Sequence, residues 1–277
     1  MSSMNPESPS WEQHLTQHLQ KLRRPVAHIE WQAVGGDADL IGSRMGGPVY
    51  WPDHTPWPVN RTGEPLVFLA QLNLGELPAL LGFPRQGLLQ FWIDGDGLYG
   101  LDFDTQAERV QHGYRVVYWP HPERRSDWQH PAPSQEAVDD LTPHNPGRCF
   151  AMRFRLDSEV PDDWEAVQVL LARLQTQPLP DGLRPLTSAE QQDWLAQYFD
   201  RMEDEDRNSG SKVGGYPCFT QSDPREAGSP LQLLLQLDSD DSADLMWGDC
   251  GVGHWFIDPA DLARAAFDRV LYNWDCC

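Results

Sequence analysis

Apolar residues recur at helical spacing near the start of the chain. Trp11, Leu15, Leu19 and Leu22 fall on one stripe, Ser10 with Gln13 offers a capping box, and Pro25 stops continuation, so the pattern predicts a helix over 10–24. "GGPVYWPDHTPWP" then reads as turn chemistry, because glycine and proline interrupt any regular element. Three apolar runs follow, "PLVFLAQLNL", "GLLQFWID" and "YRVVYW", and each predicts a buried or half-buried strand. Residues 120–148 are rich in proline and polar groups and predict a long surface connection. Strand character resumes in "CFAMRFRL", through Phe150, Met152, Phe154 and Leu156.

Two further helices are predicted within an insert spanning 160–205. Residues 162–175 would face inward through Trp164, Val167, Leu170, Leu171 and Leu174. Residues 188–203 would be capped by Ser188 with Gln191 and face inward through Trp194, Leu195, Tyr198, Phe199 and Met202. Asp258-Pro259-Ala260-Asp261 reads as an N-cap, a proline at the first helical position and an acid at the positive helix end.

The two ends of the chain resemble one another. Gly46-Gly47-Pro48 parallels Gly214-Gly215-Tyr216-Pro217, and Phe68–Asn73 parallels Leu233–Asp238. Phe91–Asp94 then parallels Trp255–Asp258, and Val116–Tyr118 parallels Val270–Tyr272. The expected fold is therefore α+β: an N-terminal helix and lead-in over 1–39, then two β-rich pseudo-repeats, about 40–120 and 210–277, with helices inserted between them. Chance similarity between apolar strands remains the competing explanation of the repeat.

Charge changes the picture most. The chain carries 42 acidic and 21 basic residues, a net charge of −21. Residues 1–150 hold 18 acids against 11 bases, and residues 151–277 hold 24 against 10. A field of this sign repels nucleic acids and anionic lipid and attracts basic proteins. Neither direct nucleic-acid binding nor membrane association is expected. No apolar run reaches the length of a membrane span, the first residues lack the build of a signal peptide, and the five cysteines show no zinc spacing. Reduced thiols in the cytoplasm are the expectation.

Asp238, Asp240, Asp241, Asp244 and Asp249 concentrate the charge between two apolar runs. Asp238 and Asp240 match positions one and three of an EF-hand loop. Ser242, Ala243 and Asp249 then stand where a third ligand, glycine and glutamate belong, so the calcium pattern fails. The candidate partner-binding set is Glu203, Asp204, Glu205, Asp206, Asp238, Asp240, Asp241, Asp244 and Asp249, with Trp247 as anchor. The competing readings are a solvated loop over a core tryptophan, and a metal-dependent enzyme using Asp238, Asp240, Asp249 and His254. Cys218 with His254 makes a nucleophile–base pair only if folding joins them, and Arg225 of the Asp223-Pro224-Arg225 turn reads either as a clamp for a carboxylate or phosphate or as the partner of a nearby aspartate. No nucleotide, zincin or hydrolase motif occurs, so no catalytic residue, metal or cofactor is expected.

"GGYPCFTQSDPR", "LLLQLDSD", "MWGDCGVGHWFI" and the final "DCC", with "GGPVYWP" and "PLVFLAQLNLGELP" upstream, resemble the YwqG-like family across roughly residues 40–277. The resemblance implies an α+β fold with a duplicated sheet unit, and no catalytic residues to carry over. Members of this kind are similar to proteins encoded beside bacterial toxins. The resemblance thus implies an immunity protein whose partner is a cognate toxin, a basic nuclease being the class that suits the charge.

Overall fold

A computed structural model describes residues 10–35, 39–103, 109–123, 141–201, 208–226 and 228–277. It divides into a helical unit, residues 1–24 with 158–209, and a sheet unit, residues 25–157 with 210–277. This division departs from a boundary at residue 39, because residues 25–34 are sheet and the first helix packs with the later ones.

The helical unit is built from α1 (Trp11–Lys21), α2 (Trp164–Gln175) and α3 (Ser188–Arg201). Ser10 and Gln13 form the predicted capping box, and Asp163 caps α2 by accepting from the Ala166 amide at 2.8 Å. The α3 cap lies one residue earlier than predicted. Thr187 Oγ1 accepts from the Glu190 amide at 3.3 Å, and Glu190 accepts in return from the Thr187 amide at 2.9 Å. Trp11, Leu15 and Leu19 of α1 share one core with Val167, Leu171 and Leu174 of α2 and Leu195 and Phe199 of α3. Each buried aliphatic side chain contributes roughly 1.5–3 kcal/mol. Trp164, predicted to face inward, is 43% exposed. Met202 lies outside the described residues.

Among the described residues the sheet is built from ten strands: β1 (Arg24–Val34), β2 (Arg44–Gly46), β3 (Val67–Asn73), β4 (Leu88–Ile93), β5 (Tyr114–Trp119), β6 (Cys149–Glu159), β7 (Lys212–Gly214), β8 (Gln232–Asp238), β9 (Val252–Ile257) and β10 (Leu271–Asp275). Their order is β10-β9-β8-β7-β1-β6-β2-β3-β4-β5, so antiparallel meanders β2–β5 and β7–β10 flank a central pair of long strands. The predicted helix-starter Asp258 caps α4 (Pro259–Ala263), accepting from the Ala260 amide at 2.8 Å.

The meanders share their register. On β3 and β4, Gln71 faces Gln90 and a bulge falls between Phe68 and Ala70; on β8 and β9, Gln236 faces His254 and a bulge falls between Leu233 and Leu235. Arg44 faces Gln71 on one side, and Lys212 faces Gln236 on the other.

Strand alternation then sorts side chains onto two faces. The inner faces supply the main core, where Phe91 of β4 meets Trp255 of β9 at 5.2 Å and Tyr114 of β5 meets Tyr272 of β10 at 5.0 Å. Side chains also bridge the ends of the sheet: Gln111 donates to the Phe267 carbonyl and Tyr114 to the Val270 carbonyl, both at 2.7 Å. The outer face of β3–β5 is covered by Val49, Trp51, Trp57 and Leu66, and that of β8–β10 by Phe219 and Leu231. No helix among the described residues is long and apolar enough to cross a membrane.

Candidate functional site

The acidic stretch is an ordered loop between β8 and β9. Ser239 Oγ accepts from the Trp247 amide at 2.9 Å and donates to the Gly251 carbonyl at 2.7 Å, tying the start of the loop to its end. The Asp240 amide donates to the Leu245 carbonyl at 2.8 Å, and the Gly251 amide to the Trp247 carbonyl at 2.8 Å. A 3-10 turn, Asp241–Ala243, sits between them, capped by Asp240. The Met246 amide donates to the Pro143 carbonyl at 2.6 Å, so the loop also leans on residues 141–146.

The five aspartates have different duties. Asp238 is half-buried and accepts from the Gly210 amide at 2.7 Å; burial raises its pKa, while that amide and nearby Lys212 oppose the rise. Asp240 accepts from the Ser242 amide at 2.8 Å and hydroxyl at 2.6 Å. Asp241, Asp244 and Asp249 are exposed. Asp244 pairs with Arg148 at 3.0 Å, while Asp241 and Asp249 face solvent alongside it. Glu203, Asp204, Glu205 and Asp206 lie outside the described residues.

Trp247 is a correction to the sequence reading. It is fully buried in the main core, 5.7 Å from Tyr99 and 6.1 Å from Trp255, and cannot anchor a partner. Its burial follows from the bridge to Gly251, which turns the indole inward over Gly253.

Asp238, Asp240 and His254, invoked for metal or nucleophilic chemistry, are committed elsewhere. Asp238 and Asp240 serve backbone amides and a hydroxyl of their own surroundings, and among the described residues no three His, Cys, Asp or Glu side chains gather to hold a metal. His254 is buried, and its Nε2 donates to the Cys218 carbonyl at 2.8 Å, so the contact runs to backbone and not to the thiol. Burial lowers its pKa to about 3, which keeps the ring neutral. Arg225 grips Asp223 through Nε and Nη2 and stacks over Phe256 at 4.6 Å.

A feature absent from the sequence reading is a pair of buried polar rows on the outer sheet faces. Arg44, Gln71 and Gln90 align across β2–β4; Lys212, Gln236, His254 and Asn273 align across β7–β10. They hold the covering loops by their backbone. Gln90 donates to the Tyr50 carbonyl at 2.8 Å, Gln71 to Gly42 at 2.8 Å, and Gln236 to Gly210 at 2.9 Å while accepting from the Cys218 amide at 3.0 Å. Polar residues inside otherwise apolar runs were the available signal.

Clefts open on the sheet unit among its described residues. One of about 380 Å³ is lined by Asn60, Asp94, Asp96 and His112, and burial raises the pKa of Asp94, whose carboxylate accepts from Asn60 at 2.7 Å. Another, about 510 Å³, lies between β5 and Phe267 and includes Arg115 and Tyr118.

A family model described as a domain of unknown function, DUF1963, matches residues 43–276, and the chain belongs to that family. No curated protein matches the chain.

Proposed function

We propose that this chain is a non-catalytic, cytoplasmic binding protein of YwqG-like type that neutralises a basic protein toxin by covering its active cleft. The contact we assign is the loop between β8 and β9. The observation that carries the reading is that Asp241 and Asp249 project to solvent from a loop whose backbone is closed by Ser239 and whose root, Trp247, is fixed in the core. A preformed acidic surface loses little freedom on docking. The net charge of −21 repels phosphate backbones and accelerates encounter with a basic protein. A nuclease suits the surface because carboxylates spaced along it imitate the phosphates that such a cleft binds. We further infer that the two meanders descend from one duplicated unit, supported by their shared bulge position and facing pairs.

The test is affinity capture from the source cells, followed by kinetics with the captured partner. A basic protein whose activity is lost in the complex supports the reading. A partner that is neutral or acidic, or that keeps its activity when bound, refutes it.

The competing metal-dependent reading predicts specific uptake of Ca²⁺, Mg²⁺, Mn²⁺ or Zn²⁺ in calorimetry, which the binding-protein reading does not.

A further inference from the structure

Three of the five cysteines meet at one place. Cys250 sits at the tip of the turn Trp247–Gly251 with a φ of 53°, a left-handed conformation that a residue with a Cβ seldom adopts. The chain leaving β10 passes beside this turn, and the Cys277 amide donates to the Asp249 carbonyl at 3.4 Å. That oxygen belongs to the peptide that supplies the Cys250 nitrogen. On standard backbone dimensions the contact holds the Cα atoms of Cys250 and Cys277 within about 7 Å of each other. Disulfides span Cα separations of about 4.4–6.8 Å, so this bound permits a bridge between the two.

The other cysteines are placed differently. Cys276 and Cys277 are adjacent, and a trans peptide holds their Cα atoms about 3.8 Å apart, too close for an unstrained bridge. The Cys276 side chain lies against the flanks of the same turn, beside Gly248 and Gly251, and its thiol is 3.5 Å from the Cys277 carbonyl. Cys250 and Cys277 are both exposed, whereas Cys149 is buried and Cys218 half-buried.

We infer that Cys250 and Cys277 form a reversible dithiol–disulfide pair, a redox-sensitive clasp between the turn after Trp247 and the segment after β10. The oxidant is a small-molecule disulfide such as oxidised glutathione. One cysteine thiolate attacks it and releases one glutathione thiolate; the second cysteine thiolate attacks the mixed disulfide and releases the other. Two cysteine thiols are thus oxidised to one disulfide, and the two protons they give up appear on two glutathione thiols. An exposed bridge closing a strained turn is of the readily reduced kind. The inference does not rest on the docking reading, since it concerns only the thiols of this chain.

The test equilibrates the full-length protein in glutathione buffers of graded ratio and maps peptides by mass spectrometry without reduction. The expected result is loss of two free thiols, one linked peptide joining Cys250 to Cys277, and complete reversal by excess reduced glutathione. Cys276→Ser should retain the link, and Cys250→Ser and Cys277→Ser should each abolish it with the circular dichroism spectrum unchanged. A link from Cys250 to Cys276, a persistent glutathione adduct on Cys250, or no link at any ratio overturns the inference.

Discussion

The indole of Trp247 lies so close over Gly253 that a Cβ placed on the glycine would come within 2.5 Å of Cζ2. The acidic loop is therefore keyed into the sheet by a large residue seated in a space that only glycine leaves open. Trp247→Ala is expected to cost about 3–5 kcal/mol, because the cavity adds to the lost burial. Gly253→Ala should also destabilise, since the ring must move away. Urea unfolding curves of both variants check this, and wild-type stability in either contradicts it.

Two buried histidines set the response to acid. Burial holds His144 at a pKa of about 4 and His254 at about 3, against 6.5 in the unfolded chain. The unfolded state therefore binds more protons between pH 6.5 and 4, and stability falls as pH drops through that range. Each uncompensated proton contributes a slope of about 1.4 kcal/mol per pH unit. Burial raises Asp94, Asp238 and Asp275, which take up protons earlier in the folded state and oppose the loss just above the ordinary carboxylate range. Unfolding free energies across pH 4–7 should show the decline, with a shallower slope in His254→Gln.

Arg44 heads one buried row and donates to the Asp39 carbonyl at 2.7 Å and to the Pro48 carbonyl. Arg44→Met removes both donors, and each stranded acceptor costs about 1–3 kcal/mol. Arg44→Lys should recover only part of the loss, because a point ammonium cannot reproduce the planar fork. Denaturation midpoints of the two variants test the order.

Much of the fold was legible from apolar periodicity. β3, β4, β5 and the start of β6 coincide with the apolar runs, and the caps of α1 and α4 follow from local chemistry at Ser10 and Asp258. β1 was not legible, because Pro25 at its start reads as a breaker and its outer residues are polar. β2 and β7 were hidden for another reason: each is three residues long and begins with a cation that only the tertiary structure buries. Periodicity reports which residues are apolar, and Arg44 is buried through polar contacts instead. Of the two sequence readings of Trp247, exposed anchor and core tryptophan under the loop, the structure bears out the second, which its aspartate-rich neighbours obscure in the local composition. The inward turn of its side chain depends on the bridge to Gly251. The expected connection at 120–148 is described only at its ends, and residues 141–148 pack against the loop and β2.

Asp241→Asn with Asp249→Asn tests the central proposal most directly, since both side chains are exposed. The double variant should stay within about 0.5 kcal/mol of wild-type stability. Its association rate with the captured basic partner, followed by stopped flow at low and high salt, should be slower than wild type at low salt and converge with it as salt screens the charges. Equal association rates for the two proteins at low salt would contradict the account.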